Sequence, residues 1–162
     1  MASEPDPRLS LLGRLVGTWA TEATHPAMPG VVVHGSTVVS WLEGGRFLRL
    51  DSRMDHPDFP DALAVIGDMG RDRDAGANAA VPTDAGTPPL RMHYFDSRGV
   101  FRAYETRIDA TAWRWWRDAP GFSQRFTGLI SADGHTIEGH AQLCEDDVHW
   151  KDDLQIRYRR RG

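Results

Sequence analysis

From Gly17 onward the chain is a succession of ten short runs rich in β-branched and aromatic residues, with almost nothing helical between them. The runs are GTWATEAT from Gly17, VVVHGSTVVSWL from Val31, RFLRLDSRM from Arg46, ALAVIGDMG from Ala62, LRMHYF from Leu90, VFRAYETRI from Val100, AWRWWR from Ala112, FSQRFTGLI from Phe122, TIEGHAQLC from Thr136 and HWKDDLQIRY from His149. Turn signals punctuate them: Gly44-Gly45, Ser97-Arg98-Gly99, Ala119-Pro120-Gly121 and Asp133-Gly134. Short strands at regular spacing, joined by turn chemistry rather than by crossover helices, are the pattern of an antiparallel sandwich or closed barrel. The predicted fold is therefore all-β, a single closed antiparallel barrel of about ten strands spanning residues 1–162. Before the first strand, Leu9, Leu12, Leu15 and Val16 recur at helical spacing, with Asp6 as N-cap and Pro7 at the first helical position, so residues 7–16 read as a short lid or plug helix. The segment 71–89, RDRDAGANAAVPTDAGTPP, is made of residues that cannot bury a core and reads as a flexible rim loop.

Because side chains alternate faces along a strand, each turn fixes which residues share the interior. A turn at Asp133-Gly134 pairs Ile130 with Ile137, Gly128 with Gly139 and Phe126 with Ala141; Gly44-Gly45 pairs Trp41 with Leu48 and Val39 with Leu50. A turn at Ala119-Pro120 sets Phe126 against Trp113, Gln124 against Trp115 and Phe122 against Arg117. A turn at Ser97-Arg98 pairs Tyr94 with Phe101, Met92 with Ala103 and Leu90 with Glu105, and one at Asp146-Asp147 pairs Leu143 with Trp150, Ala141 with Asp152, Gly139 with Leu154 and Ile137 with Ile156. In this register Tyr94, Trp113, Trp115, Arg117, Gln124, Phe126 and Trp150 line a ligand pocket, and Glu105, Arg117 and Asp152 are candidates for acid/base chemistry. Glu105 joins them if the connection Asp109-Ala110-Thr111 is odd or bulged, and points outward if it is an even turn. A satisfied internal ion network is the structural alternative for the charged group, and simple filling of the barrel is the alternative for any one tryptophan.

Leu15-Val16-Gly17-Thr18-Trp19, following a short helix and opening the first strand, resembles the G-x-W signature of calycins, the superfamily of lipocalins and fatty-acid-binding proteins. Gly44 to Leu48, Tyr94 to Gly99 and above all Trp116 to Gly128 look like an uncharacterised domain-of-unknown-function family of calycin-like barrels. The resemblance implies a small closed barrel with an internal cavity, and a signature Trp19 packed on an Arg near the last strand, Arg157 or Arg159. It brings no assigned reaction. Nitrobindin-like relatives hold haem through a His, but their glycine-rich first strand is not the GTWATEATHP found here, which ranks a haem barrel third.

Other classes are excluded on simple grounds. With 40% hydrophobic residues the chain is too apolar for disorder, and no uncharged run reaches the roughly 18 residues of a membrane span. The N-terminus lacks a basic signal region, so a cytoplasmic protein is expected. Cys144 is the single cysteine, which rules out an internal disulfide, and the seven histidines show no metal-ligand spacing, so neither metal nor other cofactor is expected. Acids outnumber bases 23 to 19, which gives no electrostatic footprint for nucleic acid. His140 facing Asp153, and Cys144 facing His149, fall on the solvent face in this register. Leu42, Phe47 and Trp116 form an outward apolar row compatible with a monomer or a homodimer. Together these features favour a module that binds a small apolar or aromatic molecule in its interior, with a carboxylate or hydroxyl directed at Arg117 and Gln124. The alternative is an isomerase, cyclase or hydrolase on the same barrel using Glu105 or Asp152 with Arg117.

Overall fold

A computed structural model describes residues 7–69 and 88–162. Ten strands form a closed antiparallel barrel: β1 (Gly17–Thr24), β2 (Val33–Trp41), β3 (Phe47–Met54), β4 (Ala62–Gly67), β5 (Leu90–Asp96), β6 (Phe101–Ile108), β7 (Ala112–Arg117), β8 (Ser123–Ile130), β9 (Thr136–Cys144) and β10 (Trp150–Arg160). Each pairs with its neighbours in sequence, and β1 closes the ring by pairing with β10. The rim loop expected at 71–89 lies, up to residue 87, outside the described residues, as does the N-cap expected at Asp6.

The predicted helix at 7–16 is shorter and tighter than expected. One α-turn, α1 (Pro7–Ser10), passes into a 3-10 turn at Leu11–Leu15, and Val16 is already extended. The reason is visible in the spacing of the buried residues: Leu9, Leu12 and Leu15 recur every third position, the repeat of a 3-10 helix. These leucines plug the base of the barrel, where they meet Trp19, Leu48 and Ile66 in one hydrophobic cluster. Arg8 ties the helix to the wall by donating to the Asp68 carboxylate and the Pro88 carbonyl, each at 2.9 Å.

The base is sealed by Arg160, not by Arg157 or Arg159. Trp19 and Arg160 face each other across the closing ladder, the guanidinium lies 4.2 Å from the centre of the indole, and it donates to the carbonyls of Arg14 (2.8 Å) and Val16. Arg157 and Arg159, the arginines offered by the resemblance, face away from Trp19, because Arg160 shares the inward parity of Ile156 and Tyr158 along β10. Gly17 is glycine for a local reason: its φ is +141°, and a Cβ there would collide with the Arg160 guanidinium.

Inward-facing side chains divide into two zones. At the base, Leu12, Leu15, Trp19, Leu48 and Ile66 have almost no accessible surface. Higher in the barrel, Met54, Tyr94, Trp115, Leu154 and Tyr158 pack against the core yet stay only partly buried. Tyr158 shows what this means. Burial pushes its hydroxyl up to about 12, the ring meets Trp19 edge-on at 6.3 Å, and still the side chain keeps accessible surface. No described helix is long and apolar enough to cross a membrane.

The plug is expected to carry much of the stability. Leu12→Ala should cost about 2–5 kcal/mol in chemical denaturation, and Gly17→Ala about 1–3 kcal/mol through strain and displacement of Arg160. Gly13→Ala, where an added Cβ meets nothing within 4 Å, should be nearly silent.

Candidate functional site

The end of the barrel opposite the plug gathers the polar interior residues. Two hairpin registers decide who they are. Tyr94 pairs with Arg102, Met92 with Tyr104 and Leu90 with Thr106, one residue away from the predicted register. The turn Ser97-Arg98-Gly99 is three residues long, with Gly99 at φ +82° and Asp96 N–H bonded to the Val100 carbonyl. This shift brings Arg102 and Tyr104 into the interior and turns Phe101, Ala103 and Glu105 outward. The β6–β7 connection agrees: Asp109 N–H bonds to Ala112 O across an even turn, and Asp109 accepts from the backbone N–H groups of Thr111 and Ala112.

Glu105 therefore sits on the outer wall opposite Trp116, accepting its indole N–H at 2.8 Å. Asp152 is outside too. The last hairpin has a five-residue loop from Glu145 to His149, so Trp150 pairs with Cys144, Lys151 with Leu143 and Asp152 with Gln142. Asp152 is 60% exposed and accepts from His140 at 3.0 Å and Gln142 at 3.2 Å. Trp150 lies on the outer wall under the Arg125 guanidinium, 4.0 Å from its ring centre, and does not line the interior. The pairs His140–Asp153 and Cys144–His149 do not form: His140 holds Asp152, while His149 and the Cys144 thiol both turn to Asp146.

A β-bulge then restores the parity of β10. Between Asp152↔Gln142 and Gln155↔His140, Asp153 and Leu154 stand opposite Ala141 alone. Asp153 turns toward the interior, where its side chain is 16% exposed and accepts from His25 Nε2 at 2.8 Å.

Trp113, Trp115, Arg117, Gln124, Phe126 and Tyr94 belong to inward-facing positions. The β7–β8 pairing is displaced by two residues from the predicted one, Trp115 facing Phe126 and Arg117 facing Gln124, which leaves the face unchanged. The rings form a continuous stack: Trp115 lies parallel to Phe126 at 5.0 Å, Tyr104 meets Trp115 at 4.6 Å, and Trp113 meets Phe126 at 5.4 Å while donating its N–H to Thr106.

Above this stack, Gln124 is 7% exposed and its Oε1 accepts from Tyr104 (2.6 Å) and from Arg102 (3.4 Å). With the carbonyl so occupied, its NH2 points the other way and has no partner among the described residues. Arg117 makes only a 3.5 Å contact to the Phe122 carbonyl, and Arg102 stacks 4.5 Å over the Phe122 ring. Neither arginine is ion-paired among the described residues. Burial raises the Tyr104 hydroxyl, opposed by the positive charges of Arg102 and Arg117, and the Asp153 carboxylate adds to the rise. The field at this one hydroxyl thus reports three charged neighbours.

Asp96 is the contrast. Its side chain is fully buried, yet four donors saturate it: the Tyr94 hydroxyl, the Arg98 guanidinium, and the N–H groups of Arg98 and Val100. Desolvation pushes its pKa up but is outweighed by these bonds, first those from Arg98, which hold it at about 2. Tyr94 is correspondingly raised, by burial first and then by the bond to Asp96. Asp96 organises the turn and has nothing left for a ligand.

The histidines do not suit a haem iron. His34, His93, His135, His140 and His149 lie on the outer wall or in exposed turns, and His56 accepts from the Asp58 N–H in the loop after β3. His25, at the rim, has both nitrogens engaged, Nδ1 by the Ala27 N–H and Nε2 by Asp153. Among the described residues no group of three His, Cys, Asp or Glu side chains could hold a metal ion.

No family model and no curated protein matches the sequence. Among solved structures, Rv2717c from M. tuberculosis superposes with a TM-score of 0.63 at 12% identity, over 98% of this chain and all of that one. The likeness is one of fold alone. A DUF3598-family protein of unknown function from Nostoc punctiforme aligns over 96% of this chain and all of its own, with a TM-score of 0.27 and 9% identity.

Asp96 should mark the acid limit of the fold. Its pKa is depressed on folding, so its contribution is complete above the unfolded value near 4 and is lost as pH falls toward 2. Asp96→Asn should therefore lower stability at neutral pH and flatten the acid limb between pH 4 and 2, read by thermal melts across that range.

Proposed function

We propose that this protein is a calycin-like binding module that takes a small, largely apolar or aromatic molecule into the upper barrel, with an oxygen acceptor at its polar end. One observation carries the reading: the NH2 of Gln124, which has no partner among the described residues and keeps accessible surface, stands beside the guanidinium groups of Arg102 and Arg117, neither of which is ion-paired among the described residues. Donors converging above an aromatic stack are complementary to a carboxylate or a carbonyl. Trp115, Phe126 and Tyr94 supply the apolar walls, Tyr104 fixes the orientation of Gln124, and the leucine plug closes the far end. In this reading the protein acts in the cytoplasm, as monomer or homodimer, without a bound cofactor.

An enzyme that moves protons through Glu105 or Asp152 finds no support, because both carboxylates lie on the outer wall and are held by Trp116 and by His140 with Gln142. The helix at 7–15 acts as a plug at the base and not as a lid over the polar mouth.

Native mass spectrometry beside the denatured mass tests the reading directly, since a stoichiometric small-molecule adduct is expected. For ligands identified in this way, Arg102→Ala, Gln124→Ala and Trp115→Ala should each weaken binding at least tenfold, and His140→Ala should leave it unchanged. Binding that survives the three interior substitutions but is lost with His140→Ala would place the site on the outer wall.

A further inference from the structure

We propose that Asp153 forms a second polar subsite in the mouth, which accepts a hydrogen bond from a hydroxyl or N–H lying next to the ligand's oxygen acceptor. The preferred ligands are then apolar or aromatic acids with a neighbouring hydroxyl or N–H, as in 2-hydroxy carboxylates. This rests on the reading of Gln124, Arg102 and Arg117 given above and adds a second requirement to it.

The bulge is the starting point. On a regular strand two adjacent aspartates would face opposite sides, and the extra residue in β10 is what aims Asp153 inward while Asp152 stays with His140. Asp153 keeps 16% of its side chain accessible, and only its Oδ1 is engaged, by His25. The Ala27 N–H donates to His25 Nδ1 at 3.0 Å, so the ring proton sits on Nε2 and points at Asp153. The imidazole fixes the carboxylate's orientation and leaves Oδ2 without a partner among the described residues.

Oδ2 is the acceptor in a space otherwise lined by donors. Asp96, at the inward position of β5 after Tyr94, is fully saturated, and the Tyr94 hydroxyl is spent on it. Along the ladders Asp153 stands opposite Ala141, Ala141 opposite Phe126, and Gln124 with its partner Arg117 occupies the next inward position, which sets the two kinds of subsite at the same end of the barrel. A cationic donor would meet two guanidinium groups, so a neutral hydroxyl or N–H is the better complement.

Asp153→Asn separates these roles. An Asn keeps a carbonyl oxygen for His25 Nε2–H, and so keeps the tether, but presents an NH2 where Oδ2 stood. The probes are phenylacetate, mandelate and α-methoxyphenylacetate (the methyl ether of mandelate), with the 2-naphthyl series alongside, measured by isothermal titration calorimetry. On the wild-type protein the hydroxy acids should bind at least tenfold tighter than the parent and α-methoxy acids, and Asp153→Asn should abolish that preference. Equal affinities for parent and hydroxy acids on the wild-type protein, or a preference that survives in Asp153→Asn, would overturn the subsite while leaving the acceptor site standing. Failure of all the acids to bind would overturn both. The wild-type comparison decides the matter even if the variant does not fold.

Discussion

Everything in this structure depends on the ladder between the first and last strands. Without it the meander is an open sheet with two unsatisfied edges and no inside. The ladder runs from Trp19↔Arg160 to Thr24↔Gln155, and its lower end is clamped by a guanidinium that stacks on the indole and donates to the carbonyls of Arg14, Val16 and Gly134. That clamp explains the small residue at Gly17 and the placement of the leucine plug.

The fold was legible because local signals agreed with one another. Gly44-Gly45 and Asp133-Gly134 close hairpins whose pairings, Trp41↔Leu48 and Ile130↔Ile137 among them, follow from counting residues across the turn. The aromatic interior was legible for the same reason, since an error of two residues between β7 and β8 preserves the face of Trp113, Trp115 and Arg117. Errors of one residue do the opposite. Asp96 organises a three-residue turn where two residues were counted, and Glu105 exchanged places with Tyr104.

The polar mouth was mostly hidden. Arg102 and Tyr104 were masked by that single-residue slip, and Asp153 by a bulge, which alternation cannot reveal because it breaks alternation. A signal was present in the adjacent Asp152 and Asp153, two residues that strands disfavour, at the point where the hydrophobic pattern of β10 skips. His25 could not be placed at all from sequence, because its role depends on a turn, the Ala27 N–H and a strand from the far end of the chain.

The order of strands around the ring also has a kinetic meaning. Nine of the ten ladders join strands adjacent in the chain, and only the tenth must wait for the two ends to meet. The entropy of that last encounter grows only slowly with chain length, about 0.6 kcal/mol for each doubling of the loop. Folding of this barrel is thus a race among local hairpins followed by one long-range event. The Trp19–Arg160 contact, which belongs to that event, is a natural reporter of its completion.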